Sequence, residues 1–104
     1  MKIRDARNGN WFWVENALID RDDLNIYEKT LYMTFCRFVD KNSKCRPSLQ
    51  AISTAAGFSK RKAADTIKSM IEKGLIEKKR RITENGDPTS NEYTVLSAVE
   101  KRVV

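Results

Sequence analysis

PSLQAISTAAGFSKRKAADTIKSMIEKGLI, residues 47–76, is the stretch that decides the fold of this chain. It predicts two short helices joined by a tight turn, and the borders of the second are written out. Ser59 is a good N-cap, able to accept a hydrogen bond from an early backbone N–H. Phe58 before the cap and Ala63 four residues after it form a weak hydrophobic staple. Gly74 stands where a left-handed residue is wanted. Leu75 follows where it can fold back onto Met70, as in a Schellman ending. Ala63, Ile67, Met70 and Ile71 recur at helical spacing and predict the buried face, with Arg61, Asp65, Lys68 and Glu72 on the opposite meridian. The preceding helix, about Ser48 to Ala56, is capped by Ser48. It turns Leu49, Ile52 and Ala56 inward and Gln50, Ala51 and Thr54 out. Gly57 supplies the turn between the two, where a positive φ suits glycine.

The first turn of the second helix is energetically odd. Lys60, Arg61 and Lys62 follow the cap directly, where the helix dipole is positive and acidic residues are preferred. Each cation there costs about 0.3–1 kcal/mol at low salt. The bland reading is a solvated charged face, supported by the pairs Arg61–Asp65 and Lys68–Glu72. Both place the base before the acid, the weaker orientation, and each contributes about 0.2–0.5 kcal/mol. That does not offset the penalty, whereas phosphate oxygens arriving from outside would.

The charge distribution points the same way. The 104 residues carry a net +6, but the segment Lys41 to Arg81 holds twelve Lys/Arg against three Asp/Glu, so both flanks are net acidic. A concentrated basic surface is the electrostatic footprint of a nucleic-acid binder. With 104 residues and no histidine, the chain suits one modest core, and it lacks the commonest general base, His-containing zinc sites and any Ser-His or Cys-His pair. Cys36 and Cys45 form no CxxC; Cys36 falls within a helix and reads as packed, and two thiols without secretory context suggest a reducing cytoplasm. Phosphate-cradling glycine loops and an obvious pair of catalytic carboxylates are absent. No apolar run is long enough to span a bilayer. The expectation is a cytoplasmic protein that is not an enzyme, with no cofactor and no membrane partner.

Before the helix pair, a longer helix is predicted from about Asn25 to Asp40, opened by a capping box of Asn25 and Glu28. Tyr27, Leu31, Phe35, Phe38 and Val39 are its expected core stripe. Ile26, Met33 and Cys36 lie off that stripe and call for a second cover, either the N-terminal segment, which is preferred, or a second copy of the chain. The N-terminal segment holds Asn8-Gly9, a tight-hairpin signal, and then the strand-like run 10–14, NWFWV. Plain core packing is the stronger reading of these aromatics over a platform for stacked bases. After Gly74, LIEKKRRI and NEYTVL read as two strands around the turn dipeptides Asn85-Gly86 and Asp87-Pro88. The domains expected are an N-terminal strand or hairpin arm over 1–22, a core domain over 23–96 and a tail over 97–104.

Three helices followed by a basic two-stranded hairpin make a winged helix-turn-helix, mainly α with a small antiparallel β-sheet. The run from Tyr27 to Arg81, closed by SNEYTVL, resembles the small helix-turn-helix domains of bacterial and phage replication proteins. These include replication initiators, phage replisome organisers and the N-terminal part of the DnaD primosomal family. The likeness covers about Leu24 to Leu96 and is most specific at PSLQAIS, AGFSKRKA, MIEKGLI and SNEY. Similar patterns occur in transcription regulators. The sequence departs from many members at Ala63, where they carry leucine or a β-branched residue, and in its Trp-rich N-terminus. The resemblance implies that the helix from Ser59 is the recognition helix and that residues 79–90 form the wing.

The partner expected is double-stranded DNA. Lys60, Arg61 and Lys62 would enter the major groove at its mouth beside Ser59, with Lys68 on flanking phosphate. The planar fork of Arg61 suits guanine O6 and N7, and Asp65 could accept from cytosine or hold Arg61 in place. Lys79, Arg80 and Arg81 would track backbone or reach the minor groove beside the wing, whose loop contacts backbone through Asn85 and Thr89. Two rivals stand beside a replication-initiation role: a transcriptional regulator with the same fold, and an interaction module that homodimerises through the N-terminal arm and first helix or loads another replication protein.

Overall fold

A computed structural model describes residues 12–80 and 91–99. In chain order the elements are α1 (Asn16–Asp20), α2 (Ile26–Phe38), β1 (Lys44–Cys45), α3 (Leu49–Ala56), α4 (Lys60–Glu72), β2 (Ile76–Lys79) and β3 (Glu92–Val95). The strands form one antiparallel sheet in the order β1-β3-β2. Helix α4 packs on α2, α3 and β2. This is a winged helix-turn-helix: a three-helix core whose last helix leads straight into a sheet.

Local chemistry sets the starts of α2, α3 and α4 and the ends of α3 and α4 where the sequence predicts them, while α2 ends at Phe38, short of the expected Asp40. Asn25 Oδ1 accepts from the Glu28 N–H and Glu28 Oε1 accepts from the Asn25 N–H, completing both arms of the capping box. Ser48 caps α3 by accepting from the Ala51 N–H, and Gly57 ends it in the left-handed region at φ 86°. Gly74, at φ 74°, closes α4. The Leu75 N–H donates to the Met70 carbonyl and the Gly74 N–H to that of Ile71, the two bonds of a Schellman motif.

The core gathers Leu31, Tyr32 and Phe35 of α2, Ile52 of α3, Ala63, Ile67 and Met70 of α4, and Leu75, Ile76 and Tyr93 of the sheet. Tyr93, on the central strand, packs its ring 4.9 Å from that of Phe35. Two expected core residues lie elsewhere. Tyr27 is 42% exposed and Ile71 38%. The inward positions of α2 are instead Glu28, Leu31, Tyr32 and Phe35, so the helical period is as expected but its phase is set by a buried carboxylate. On α4, Thr66 takes the place expected for Ile71, its hydroxyl satisfied by donating to the Lys62 carbonyl at 2.7 Å.

The strand expected over 10–14 is not formed at residues 12–14, and the chain turns into α1 immediately afterwards. The reason is packing and polar pairing: Leu18 of α1 is fully buried, and Glu15 at its start is held by the C-terminal segment. Glu15 accepts from the Ala98 N–H and the Ser97 hydroxyl, both at 2.9 Å. Tyr32 donates to the Leu96 carbonyl on the same side. Val14, Leu18 and Ala98 belong to the same hydrophobic cluster as Met33 and Cys36 of α2, whereas Ile26 stays 73% exposed. The Asn8-Gly9 turn lies outside the described residues.

Strand β1 has no counterpart in the sequence reading. Its turn is built by Asp40, whose carboxylate accepts from the Asn42 and Lys44 N–H groups while Ser43 takes a positive φ of 62°. Those backbone donors hold the Asp40 carboxyl below its ordinary value.

Candidate nucleic-acid interface

Helix α4 exists as a presented helix because its first turn is capped locally and its body is wedged between α2, α3 and the sheet. Ser59 Oγ accepts from the Lys62 N–H at 3.1 Å. Lys60, Arg61, Lys62, Asp65 and Lys68 are all exposed, and so are Ser59 at the tip and Lys79 and Arg80 at the end of β2. Arg81, Asn85 and Thr89 lie outside the described residues.

The basic segment sorts into two sets by partner. Lys73 is bonded to the buried Glu28 at 2.9 Å and to the Asp23 carbonyl. Arg46 and Lys44 both meet Glu92, at 2.9 and 3.9 Å. By contrast, Lys60, Arg61, Lys68, Lys78, Lys79 and Arg80 have no ion pair among the described residues. The pairs Arg61–Asp65 and Lys68–Glu72 do not form, so no ion pair among the described residues compensates Lys60 and Arg61 on the first turn of α4. Lys62 differs again: its ammonium lies 4.0 Å from the centroid of the Tyr27 ring, a cation–π contact.

Along α4 the exposed residues Arg61, Asp65, Lys68 and Glu72 fall on one ridge facing away from the core, since residues three or four apart share a face. Beside that ridge a groove of roughly 360 Å3 runs between α3, α4 and the sheet, lined by Pro47, Ser48, Ala64, Lys78, Asn91 and Tyr93 among others. The groove carries Lys78 beside the ridge cations Arg61 and Lys68, whereas Lys79, next along β2, points to the opposite face of the sheet. The sequence reading did not single out Lys78 as a contact, or Tyr27 as a neighbour of Lys62. Alternation along β2 from the buried Ile76 was the available signal for Lys78; Tyr27 carries no local signal at all.

Two thiols are the remaining reactive groups. Burial, then the nearby Glu15 carboxylate, pushes Cys36 up to about 11; burial and the Asp40 and Cys36 charges push Cys45 to about 11. Both keep their protons at neutral pH, so neither is a ready nucleophile or metal ligand. Among the described residues no three His, Cys, Asp or Glu side chains are grouped to hold a metal ion, and no helix is long and apolar enough to cross a membrane.

A tri-helical core, a short-turn helix pair and a sheet edge beside the last helix define the winged-helix class. The chain belongs to a helix-turn-helix domain family, whose model matches residues 22–76. It is similar in fold to the solved structure titled "Possible transcriptional regulator" from Methanosarcina mazei Go1, with a TM-score of 0.55 and 16% sequence identity. The match covers 78% of this chain and 60% of that one, so this chain spans about 60% of the length of that protein. No curated protein sequence matches the chain.

Proposed function

We propose that this protein binds double-stranded DNA by setting the exposed ridge of α4 in the major groove, with the lysines and arginines at the end of β2 on flanking backbone. The observation that carries the reading is the charge of Lys60 and Arg61 at a helix N-terminus, with Lys68 two turns further along, none of them in an ion pair among the described residues. A cation that destabilises the free helix is retained where an anion compensates it in the complex. Arg61 is the base-reading candidate, with Asp65 one turn on to receive a cytosine amino group or to orient Arg61. Lys60, Lys68, Lys79 and Arg80 supply phosphate contacts, and Arg81, Asn85 and Thr89 extend these contacts along the wing.

Two settings use this same step. Initiation of replication is supported by the resemblance at PSLQAIS, AGFSKRKA, MIEKGLI and SNEY, and transcription regulation by the fold shared with a protein of that title. The discriminating test for DNA binding is fluorescence anisotropy with random duplex DNA at several salt concentrations, for wild type and the Arg61→Ala/Lys62→Ala variant. Wild-type affinity falls steeply with salt, and removing these two cations weakens binding and flattens the logarithmic slope by roughly 0.9 for each phosphate no longer neutralised. Unchanged binding in the variant removes α4 from the account.

A second reading, self-association, is favoured by the exposure of Phe12, Trp13, Ile19 and Ile26 at 43%, 75%, 55% and 73%. A homodimer through the N-terminal segment and α2 would pair two half-sites, since dimeric readers match two-fold sites on DNA. Light scattering against concentration tests it. A monomer at every concentration, with and without DNA, rejects it.

A further inference from the structure

We infer that Tyr27 is a positioning residue that holds the Lys62 ammonium on the α2 flank of the recognition helix, where Lys62 takes a backbone phosphate rather than a base. The inference rests on the duplex-binding reading above and assigns one of its three first-turn cations a separate role. Successive helical residues are about 100° apart. Lys62 is therefore displaced from the Arg61 ridge toward the flank that carries Ser69 and Lys73, both of which bond to Glu28 of α2. A helix lying in the major groove turns its outward ridge to the bases and its flanks to the phosphate walls.

The contact is braced on both sides. Tyr27, in the first turn of α2, is followed by the fully buried Glu28 and meets the Phe58 ring edge-on, 5.7 Å between centroids at 87°. Phe58 in turn is packed against the core from the turn between α3 and α4. The backbone of Lys62 is itself pinned, its N–H donating to Ser59 Oγ and its carbonyl accepting from Thr66 Oγ1. The ring lies against one side of the ammonium at 4.0 Å, and Lys62 is otherwise exposed. A lysine chain otherwise carries several free rotations that a phosphate contact would freeze. The ring orders them before DNA arrives, and its half-exposed position explains why an aromatic at a helical core spacing is not in the core.

The test combines anisotropy on random duplex DNA with NMR of the free protein, for wild type, Tyr27→Phe, Tyr27→Leu, Lys62→Met and the Tyr27→Leu/Lys62→Met double variant. Thermal unfolding confirms that each is folded at the assay temperature. Tyr27→Leu weakens binding about two- to fivefold, the equivalent of one exposed cation–π contact, and Tyr27→Phe restores it. Lys62→Met lowers the salt slope by roughly 0.9, and adding Tyr27→Leu then changes nothing further. In the free protein the Lys62 ε-methylene resonance is shifted upfield by the ring in wild type and Tyr27→Phe and returns to its ordinary position in Tyr27→Leu. Lys62→Arg, which keeps a cation over an untouched Tyr27, retains affinity. An equal Tyr27→Leu effect with and without Lys62, or no effect on a duplex-binding wild type, overturns the assignment alone. A wild type that does not bind duplex DNA overturns the DNA reading, and the assignment with it.

Discussion

The two ends of α4 carry the same kind of side chain and treat it in opposite ways. At the C-terminal end Lys73 sits where the helix dipole favours a cation, bonded to a carboxylate that is 1% exposed. At the N-terminal end Lys60 and Arg61 sit where the dipole disfavours them, exposed and without a carboxylate partner among the described residues. The first arrangement is what a protein does with charge when the aim is its own architecture: Glu28 ties α2 to α4 through Ser69 at 2.6 Å and Lys73 at 2.9 Å, and closes its own helix cap as well. The second arrangement contributes nothing to the free fold. Charge left uncompensated at an exposed helix tip is evidence for a partner of opposite sign; a satisfied buried charge is evidence of a joint.

Breaking the joint has the largest expected effect. Glu28→Ala leaves the Ser69 hydroxyl, the Asn25 N–H and the Lys73 ammonium without their shared acceptor. The cost is about 3 kcal/mol, near the lower end for removing one partner of a buried pair, because Lys73 keeps access to water. Urea unfolding measures it, and a loss below about 1 kcal/mol would show that α2 and α4 are held by apolar packing alone. The same site gives a pH signature. Burial raises the Glu28 pKa, but the bonds from Ser69, Asn25 and Lys73 outweigh it and hold the carboxyl below its ordinary value. A folded pKa below the unfolded one contributes stability that is present above the unfolded value, about 4.3, and is lost as pH falls through the folded value. Wild type therefore loses stability in that acid range, and Glu28→Gln loses correspondingly less there.

Next in size is the loss of a base contact. Arg61→Ala is expected to weaken binding to a preferred duplex site by about 1–3 kcal/mol and to relax sequence preference at one position. Its unfolding midpoint stays at or above that of wild type. A variant that loses both affinity and stability would place Arg61 on the structural side of the comparison. Selection of duplex sites from a random pool, repeated with the variant, locates the position whose preference disappears.

A backbone substitution is expected to be smaller and indifferent to DNA. Gly74 has a φ of 74° and, its chain neighbours aside, no atom of the described residues within 4 Å of where a Cβ would stand, so Gly74→Ala carries a conformational cost of about 1–2 kcal/mol without a clash. Thermal unfolding shows the loss while the salt slope of DNA binding is unchanged. This is the kind of feature that can be read in a sequence, because a cap is a local device. Ser48, Ser59, Gly57 and Gly74 each act within a few residues of themselves, and Asn25 and Glu28 do the same. What the sequence did not disclose acts over long separations. Glu28 was legible as a capping residue, but its second role depends on residues 41 and 45 positions later. That role sets the phase of α2 and turns Tyr27 outward. Strand β1 is two residues long, too short for alternation to register, and Glu15 finds its partners 82 and 83 residues away. The exposed tip was legible because the penalty there is local; the Tyr27 ring beneath Lys62 was not.

The smallest effect is the most discriminating, because its sign differs between the two functions a cation can serve. Lys60 occupies the first helical position of α4, exposed and without an ion pair among the described residues. Replacing it with Ala removes an unfavourable interaction with the dipole and leaves the Ser59 cap in place, so the free protein gains about 0.3–1 kcal/mol at low ionic strength. The gain shrinks as salt screens the charge. Duplex affinity moves the other way, with a salt slope shallower by roughly 0.9. A substitution that raises stability and lowers affinity, both effects fading with salt, marks a side chain kept for its partner. Stability lowered by the same substitution would mean that Lys60 serves the fold, and the contrast between the two ends of α4 would then disappear.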